Sequence, residues 1–210
     1  MVEKKAHISA NEAYKTWFDF SILFFAHLFL LPLWIALWTL IPLAIWLGDH
    51  GPVFYSQKRT GKNGKIFTVL KFRTMIPDAD KKGPAWTLDN DPRLTCIGRI
   101  LRKTALDELP EILSIWKRDM SLVGPRALAV EEHQALEEQI PEFEKRLQVR
   151  PGLTGLAQVY DPNDIAIDKL QYDLEYMESM GLLLDLKLLV LSVRNTLFAR
   201  WDRRGGKPTE

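Results

Sequence analysis

Two adjacent carboxylates, Asp107 and Glu108, stand inside the string Arg102-Lys103-Thr104-Ala105-Leu106-Asp107-Glu108-Leu109-Pro110-Glu111. Neighbouring residues of a helix point about 100° apart, so the two acids suit different tasks. An ionised Asp can attack phosphorus, as in aspartyl-phosphate enzymes. A second carboxylate suits Mg²⁺, which takes one or two protein carboxylates and completes its shell with substrate phosphates. Basic residues precede the pair, and Ser121-Leu122-Val123-Gly124-Pro125-Arg126, a strand-like run ending in a turn, follows it. An arginine on so restrained a backbone suits two-pronged phosphate contact. Acids set among arginines point to phosphate chemistry. A plain structural reading stands beside it. Thr104-Ala105-Leu106-Asp107 fits a capping box, in which Asp107 only secures a helix start. Pro110, tolerated in a first helical turn, places that start at Asp107 or Glu108. Either register puts both acids at the positive end of a helix, which favours carboxylate and phosphate alike.

The elements that must carry these residues follow from punctuation and periodicity. Val53-Phe54-Tyr55 and Lys65 to Arg73 read as two strands around the turn Gly61-Lys62-Asn63-Gly64, a β-hairpin. Gln57, Arg59, Lys71 and Arg73 fall at strand positions that either face one site or form a solvated basic face. Residues 78–93 read as a loop, a lid or a plain connection, with Gly83-Pro84 and Asp91-Pro92 as breakers. Thr95 to Arg102 reads as a helix with Ile97, Ile100 and Leu101 on one face and Arg99, Arg102 and Lys103 on the other. Such a helix can lie in a membrane interface or pack on a core. Arg150-Pro151-Gly152-Leu153-Thr154-Gly155 reads as a loop. Glu131 to Leu147 reads as one charged helix, and Leu182 to Phe198 as an apolar helix with Asp185, Lys187 and Arg194 along it.

Charge along the chain falls into zones that a net charge of +1 conceals. Residues 20–48 contain no Asp, Glu, Lys or Arg, whereas from Asp49 to Arg126 basic residues exceed acidic ones by six. A basic zone directly after an apolar segment suits phosphates and anionic headgroups. No finger, helix-turn-helix or ribonucleoprotein signature supports nucleic acid as a partner. The lone Cys96 rules out a disulfide within the chain, as in a reducing compartment. At 210 residues the chain is long enough for one main domain with its own core.

The apolar segment Phe20 to Gly48 exceeds the ~20 residues needed to cross a bilayer. Its length, the polar stretch before it and the lack of a small-residue cleavage site argue against a secretory signal. Pro32 interrupts it, leaving two arms of about a dozen residues, each too short to cross alone. A spanning helix and a helix–break–helix hairpin both fit the pattern. Lysines and arginines on both sides give weak support to the hairpin, since under the positive-inside rule both ends prefer the cytoplasm. Trp34, Trp38 and Trp46 fit an aromatic belt or lipid-facing bulk, and His27 fits a neutral packed side chain.

Together these strings resemble the bacterial sugar transferases known as monotopic phosphoglycosyl transferases. The likeness runs from about Lys15 to the C-terminal helix. It is carried by Gly51-Pro52-Val53-Phe54, Gln57-Lys58-Arg59, Lys71-Phe72-Arg73-Thr74-Met75, Asp91-Pro92-Arg93, Leu101-Arg102-Lys103-Thr104, Leu106-Asp107-Glu108-Leu109-Pro110, Asp119 to Arg126, and Pro151-Gly152-Leu153-Thr154-Gly155. The resemblance implies an α+β fold in its small single-domain form. Residues 1–12 are then an N-terminal tail and residues 13–48 a re-entrant membrane helix hairpin. Residues 49–210 form a mostly helical cytoplasmic catalytic domain with a small β-hairpin and interfacial amphipathic helices. It implies transfer of a sugar 1-phosphate from a UDP-sugar to polyprenyl phosphate at the bacterial inner membrane, with UMP released. Asp107 is then the nucleophile and Glu108 the acid associated with Mg²⁺. Arg102 and Arg126, with Lys71 and Arg73, bind substrate phosphates, and Lys15, Asp19 and Pro32 shape the anchor. A homodimer is compatible with this reading. The competing class is a membrane-anchored module that binds phosphate or partners without catalysis. The chain departs from the family pattern at Thr16, at Leu31 and at Tyr160-Asp161-Pro162-Asn163.

Overall fold

The computed structural model describes residues 12–79, 82–83, 91–161 and 165–201. The N-terminal tail up to residue 11, the middle of the 78–93 loop and residues 162–163 of the family departure lie outside the described residues.

Two apolar helices open the structure, α1 (Lys15–Phe29) and α2 (Leu31–Asp49). The break falls at Leu30, whose φ of −108° and ψ of 22° leave the helical region. Pro32 sits in the first turn of α2, where its missing N–H costs nothing. The break is also stitched by side chains. The Trp34 indole donates to the Ala26 carbonyl at 3.1 Å, and His27 stacks on Trp34 with ring centres 4.3 Å apart. α2 is the one described helix long and apolar enough to cross a membrane. Phe24, Phe25, Phe29, Leu33, Ile35, Leu40 and Leu47 are all exposed, more apolar surface than a soluble fold leaves open.

Both ends of this helical pair rest on the remaining chain. Midway along α1, Leu23 enters the main core. Near the end of α2, Ile41 and Ile45 pack with Phe72 and Leu101 in a second cluster. β1 (Phe54–Thr60) and β2 (Ile66–Phe72) form the expected hairpin, in register from Phe54 opposite Phe72 to Thr60 opposite Ile66. Alternation splits β2 between two jobs: Phe67 and Val69 feed the main core, and Phe72 feeds the cluster under α2.

α3 (Cys96–Thr104) follows, capped by the Thr95 hydroxyl, which accepts the Gly98 N–H at 2.9 Å. Leu101 is its buried residue, while Ile100, expected on the same face, is exposed. No capping box forms after it. The Thr104 hydroxyl donates backwards to the Ile100 and Leu101 carbonyls, and Ala105 turns into the left-handed region at φ 54°. The chain then makes a 3₁₀ helix, Leu106–Glu111, and continues as the short α4 (Ile112–Trp116).

β3 (Ser121–Val123) and β4 (Gly152–Thr154) pair in parallel, so the expected loop at Arg150–Gly155 contains a strand. The expected charged helix over 131–147 divides into α5 (Val130–Gln139) and a 3₁₀ helix, Phe143–Gln148, with the Ile140-Pro141 step between them. α6 (Leu156–Tyr160), α7 (Ala166–Ser179) and α8 (Leu182–Leu197) complete the fold. Ile115, Met120, Val123, Tyr176, Met177 and Leu188 form the centre of the main core.

Candidate active site

The 3₁₀ helix Leu106–Glu111 lies against β2 and follows α3 directly, so three elements meet at Asp107-Glu108. Lys71, at the end of β2, reaches Glu108 at 2.8 Å and Glu111 at 3.2 Å. Arg126, just beyond β3, takes Glu108 with both terminal nitrogens, one at 3.3 Å and the other in a shorter contact. Glu108 is thus clamped between two cations. Burial alone would raise its carboxyl, but Arg126 and Lys71 outweigh that and hold it well below the usual carboxylate range. The pair in turn holds the Arg126 guanidinium more firmly charged.

Asp107 stands differently. Its carboxylate has no hydrogen bond or ion pair among the described residues. Burial raises its pKa, the negative Glu108 raises it further, and Lys71, Arg102 and Arg126 offset part of this, leaving it at about 6. Two neighbouring acids therefore have opposite characters: one locked and permanently ionised, the other half-buried, unbonded and ionised at neutral pH. That is the division of labour expected of an acid that reacts beside an acid that organises.

Arg102 projects from α3 and donates through Nε to the Thr74 hydroxyl at 2.9 Å. Arg73 is placed elsewhere. It holds Asp49 at the end of α2 through Nη1 at 2.7 Å and Nη2 at 2.5 Å, and it donates to the Pro52 and Met75 carbonyls. Its guanidinium closes the junction between helical pair and hairpin, apart from the Lys71 and Arg126 that hold Glu108. Lys15 and Asp19 lie one helical turn apart on α1 and dock it onto β3. Lys15 donates to Asp185 at 2.7 Å and to the Val123 carbonyl and Tyr176 hydroxyl. Asp19 accepts the Ser121 hydroxyl at 3.0 Å and the Leu122 N–H at 3.1 Å.

Three supporting residues, Glu111, Arg146 and Asp173, escaped the sequence reading as site components, and Arg59 entered it only as a strand position facing either a site or solvent. Glu111 shares Lys71 with Glu108. Arg59, on the inner side of β1, is half-buried and donates to the Ala127 carbonyl at 2.7 Å and to Gln57 at 2.7 Å, beside Arg126. Arg146 donates to the Arg126 carbonyl at 2.8 Å and pairs with buried Asp173 at 2.8 Å. These residues set the backbone from which Arg126 reaches Glu108. The Arg59 string itself was the one available signal.

A family model for bacterial sugar transferases matches residues 10–199. The chain belongs to the bacterial sugar transferase family. Relatives within it include an undecaprenyl-phosphate glucose phosphotransferase of Komagataeibacter xylinus, 38% identical over 77% of this chain and 32% of its own. An exopolysaccharide production protein, ExoY, of Sinorhizobium fredii is 37% identical over 87% of this chain and 85% of its own. A UDP-glucose:undecaprenyl-phosphate glucose-1-phosphate transferase of Caulobacter vibrioides is 39% identical over 75% and 61%. The chain thus spans about a third of the first of these sugar transferases and most of the second.

Magnesium can be tested against the donors present. Among the described residues no three acids or histidines converge on one point, so no all-protein cage exists. Glu108 Oε1 already accepts from Lys71 and Arg126, which fills its lone pairs. Oε2 accepts only the longer 3.3 Å bond and retains one. This fits a cation held by one carboxylate oxygen and completed by substrate phosphates, the usual manner of Mg²⁺.

Proposed function

We propose that the chain is a membrane phosphoglycosyl transferase that moves a sugar 1-phosphate from a UDP-sugar to polyprenyl (undecaprenyl) phosphate. It acts on the cytoplasmic face of the bacterial inner membrane, as the first membrane step of a surface glycan. The observation that carries this reading is the unbonded Asp107 beside a Glu108 locked by Lys71 and Arg126. The names of the relatives, undecaprenyl-phosphate sugar transferases among them, support the acceptor.

In the first step an Asp107 carboxylate oxygen attacks the phosphorus that bears the sugar. The bridging P–O bond breaks, UMP leaves with the bridging oxygen, and an aspartyl-phosphosugar forms. In the second step an oxygen of the lipid phosphate attacks the same phosphorus. The acyl phosphate P–O bond breaks, the carboxylate is regenerated, and a polyprenyl diphospho-sugar results. Both reactants are anions approaching an anion, so the cations around Asp107 are what make the attack feasible. Arg126 and Lys71 move part of their hydrogen bonding from Glu108 to phosphate oxygens. Arg102, held by Thr74, adds a third positive charge. Mg²⁺, when bound, neutralises further charge on the diphosphate, and Glu108 would hold it.

We assign α1 and α2 to a re-entrant hairpin, in keeping with the break at Leu30 and with the two ends docked on one catalytic body. The exposed stripe Leu183, Leu186, Val190, Val193 and Leu197 on α8 is suited to the interface of the same leaflet.

Incubation with a panel of UDP-sugars and no lipid acceptor tests the chemistry. One sugar should release UMP stoichiometrically and leave a phosphosugar mass on the peptide containing Asp107. Full turnover by Asp107→Asn, or UMP release that waits for the lipid, refutes the covalent step.

A further inference from the structure

Away from Asp107, where α1 emerges from the globular body, lies an open cleft of about 380 Å³ lined by Glu12, Ala13, Thr16, Lys62, Arg118 and Arg150. Its size is that of a small-ligand site. Three of its side chains are cationic and one is anionic. Glu12 serves two of the cations at once. It pairs with Lys62, and it accepts the Arg150 backbone N–H at 3.1 Å and the Arg150 Nε at 3.3 Å. Arg150 also donates through Nη2 to Thr16 at 3.2 Å, which fixes its guanidinium at the cleft wall. Arg118 is exposed, and its guanidinium has no hydrogen bond or ion pair among the described residues. The neighbouring acid, Asp119, is engaged by Lys65 at 2.7 Å. Positive charge in the cleft thus exceeds what its own acid neutralises.

The surroundings indicate where such an anion comes from. Thr16 is followed by Trp17, 79% exposed, and Arg118 by two positions follows the exposed Trp116, which stacks on Phe20 of α1 at 5.0 Å. Aromatic rings beside arginines at the root of an apolar helix are the pattern of the headgroup layer. None of the cleft residues belongs to the catalytic group.

We propose that this cleft binds a phosphate-bearing anion, with Arg118 and Arg150 on its oxygens and Lys62 at the rim. The phosphate belongs either to an anionic lipid headgroup or to a free phosphate compound; the lipid source also requires the membrane-anchor reading, and the phosphate chemistry does not.

Arg118 offers an unusually clean test. It holds φ at 64°, a region that penalises a side chain and suits glycine. Arg118→Gly removes the guanidinium while relaxing the backbone, so the full-length protein should unfold at the same temperature or higher. In neutral detergent, titration of the wild type with short-chain phosphatidylglycerol, phosphatidylcholine and inorganic phosphate separates the sources. Binding of phosphatidylglycerol about tenfold tighter than phosphatidylcholine assigns the cleft to anionic lipid. Equal binding of inorganic phosphate and phosphatidylglycerol assigns it to free phosphate. In either case Arg118→Gly weakens the tight ligand about fivefold, the effect of one interfacial charge at ~1 kcal/mol. Lys62→Gln weakens it in the same direction. Unchanged affinity in Arg118→Gly, or no preference for either phosphate anion over phosphatidylcholine, overturns the proposal.

Discussion

At the scale of single residues, the contrast between Asp107 and Glu108 has a consequence in pH. In the proposed mechanism the reactive form of Asp107 is the ionised one, and its pKa stands at about 6 against an ordinary 3.8. Adduct formation should therefore fall as pH drops through about 6, measured by UMP burst amplitude and rate between pH 5 and 8. Stability moves the other way. The folded protein binds this proton more tightly than the unfolded chain does, so this group's destabilising effect is present above pH 6 and fades as pH falls towards 4. Asp107→Asn should accordingly melt higher than wild type at pH 7.5, with the gap narrowing steadily as pH falls through 6 towards 4. The acid pair, Arg102, Arg126 and Lys71 were all visible as short strings with restrained backbones. Arg73, two positions from Lys71, looks equivalent to it in sequence. Only the position of Asp49, brought back by α2, shows that its donors are used.

Among the elements, α3 is positioned by absence of a side chain. A β-carbon on Gly98 would lie 1.9 Å from the Thr74 carbonyl oxygen. That contact, with the Thr95 N–H bonded to the same carbonyl at 3.0 Å, sets α3 against the end of β2 and keeps Arg102 on Thr74. Gly98→Ala should push the helix away, costing about 1–3 kcal/mol of stability as overpacking does. It should also lower the rate more than a surface alanine does. Thermal unfolding and single-turnover UMP release check the two effects separately. The hairpin and α3 were legible because turn glycines, alternation and a Thr cap are local signals. The β3–β4 pair was half legible: Ser121-Leu122-Val123 reads as strand-like, but Gly152-Leu153-Thr154 sits in what reads as a loop, and the pairing joins Ser121 to Gly152. The 3₁₀ helix carrying Asp107 read as an ordinary helix start, because Thr104 fits a capping box in sequence yet bonds backwards into α3. α7, which supplies Asp173 and Tyr176, drew no notice beside the louder α8.

For the whole molecule, the buried knot of Lys15, Asp185, Tyr176 and Tyr14 joins helices distant in the chain. Tyr14 donates to Asp185 at 2.7 Å and Tyr176 to its other oxygen at 2.8 Å. Lys15 is 3% exposed and Asp185 fully buried, so removing the lysine strands a buried carboxylate. Lys15→Met should cost about 3–5 kcal/mol, the usual result of breaking a buried ion pair. Differential scanning fluorimetry in detergent would report it, and Lys15→Met combined with Asp185→Leu should recover much of the loss. These partners lie 170 positions apart, which is why the sequence showed Lys15 and Asp19 as anchor residues without showing what they grip.

On the proposed transferase reading, the same knot ties bilayer to chemistry. Lys15 grips the carbonyl of Val123, and three residues later the chain delivers Arg126 to Glu108. A short rigid strand thus links the lipid foot to the guanidinium clamp, like a keel bolted to a mast. Any tilt of the foot, whether from bilayer thickness or from crowding, is passed on to the height of the clamp. On that reading a lipid-borne phosphate confined to one plane would meet the Asp107 carboxylate at an elevation that the foot sets.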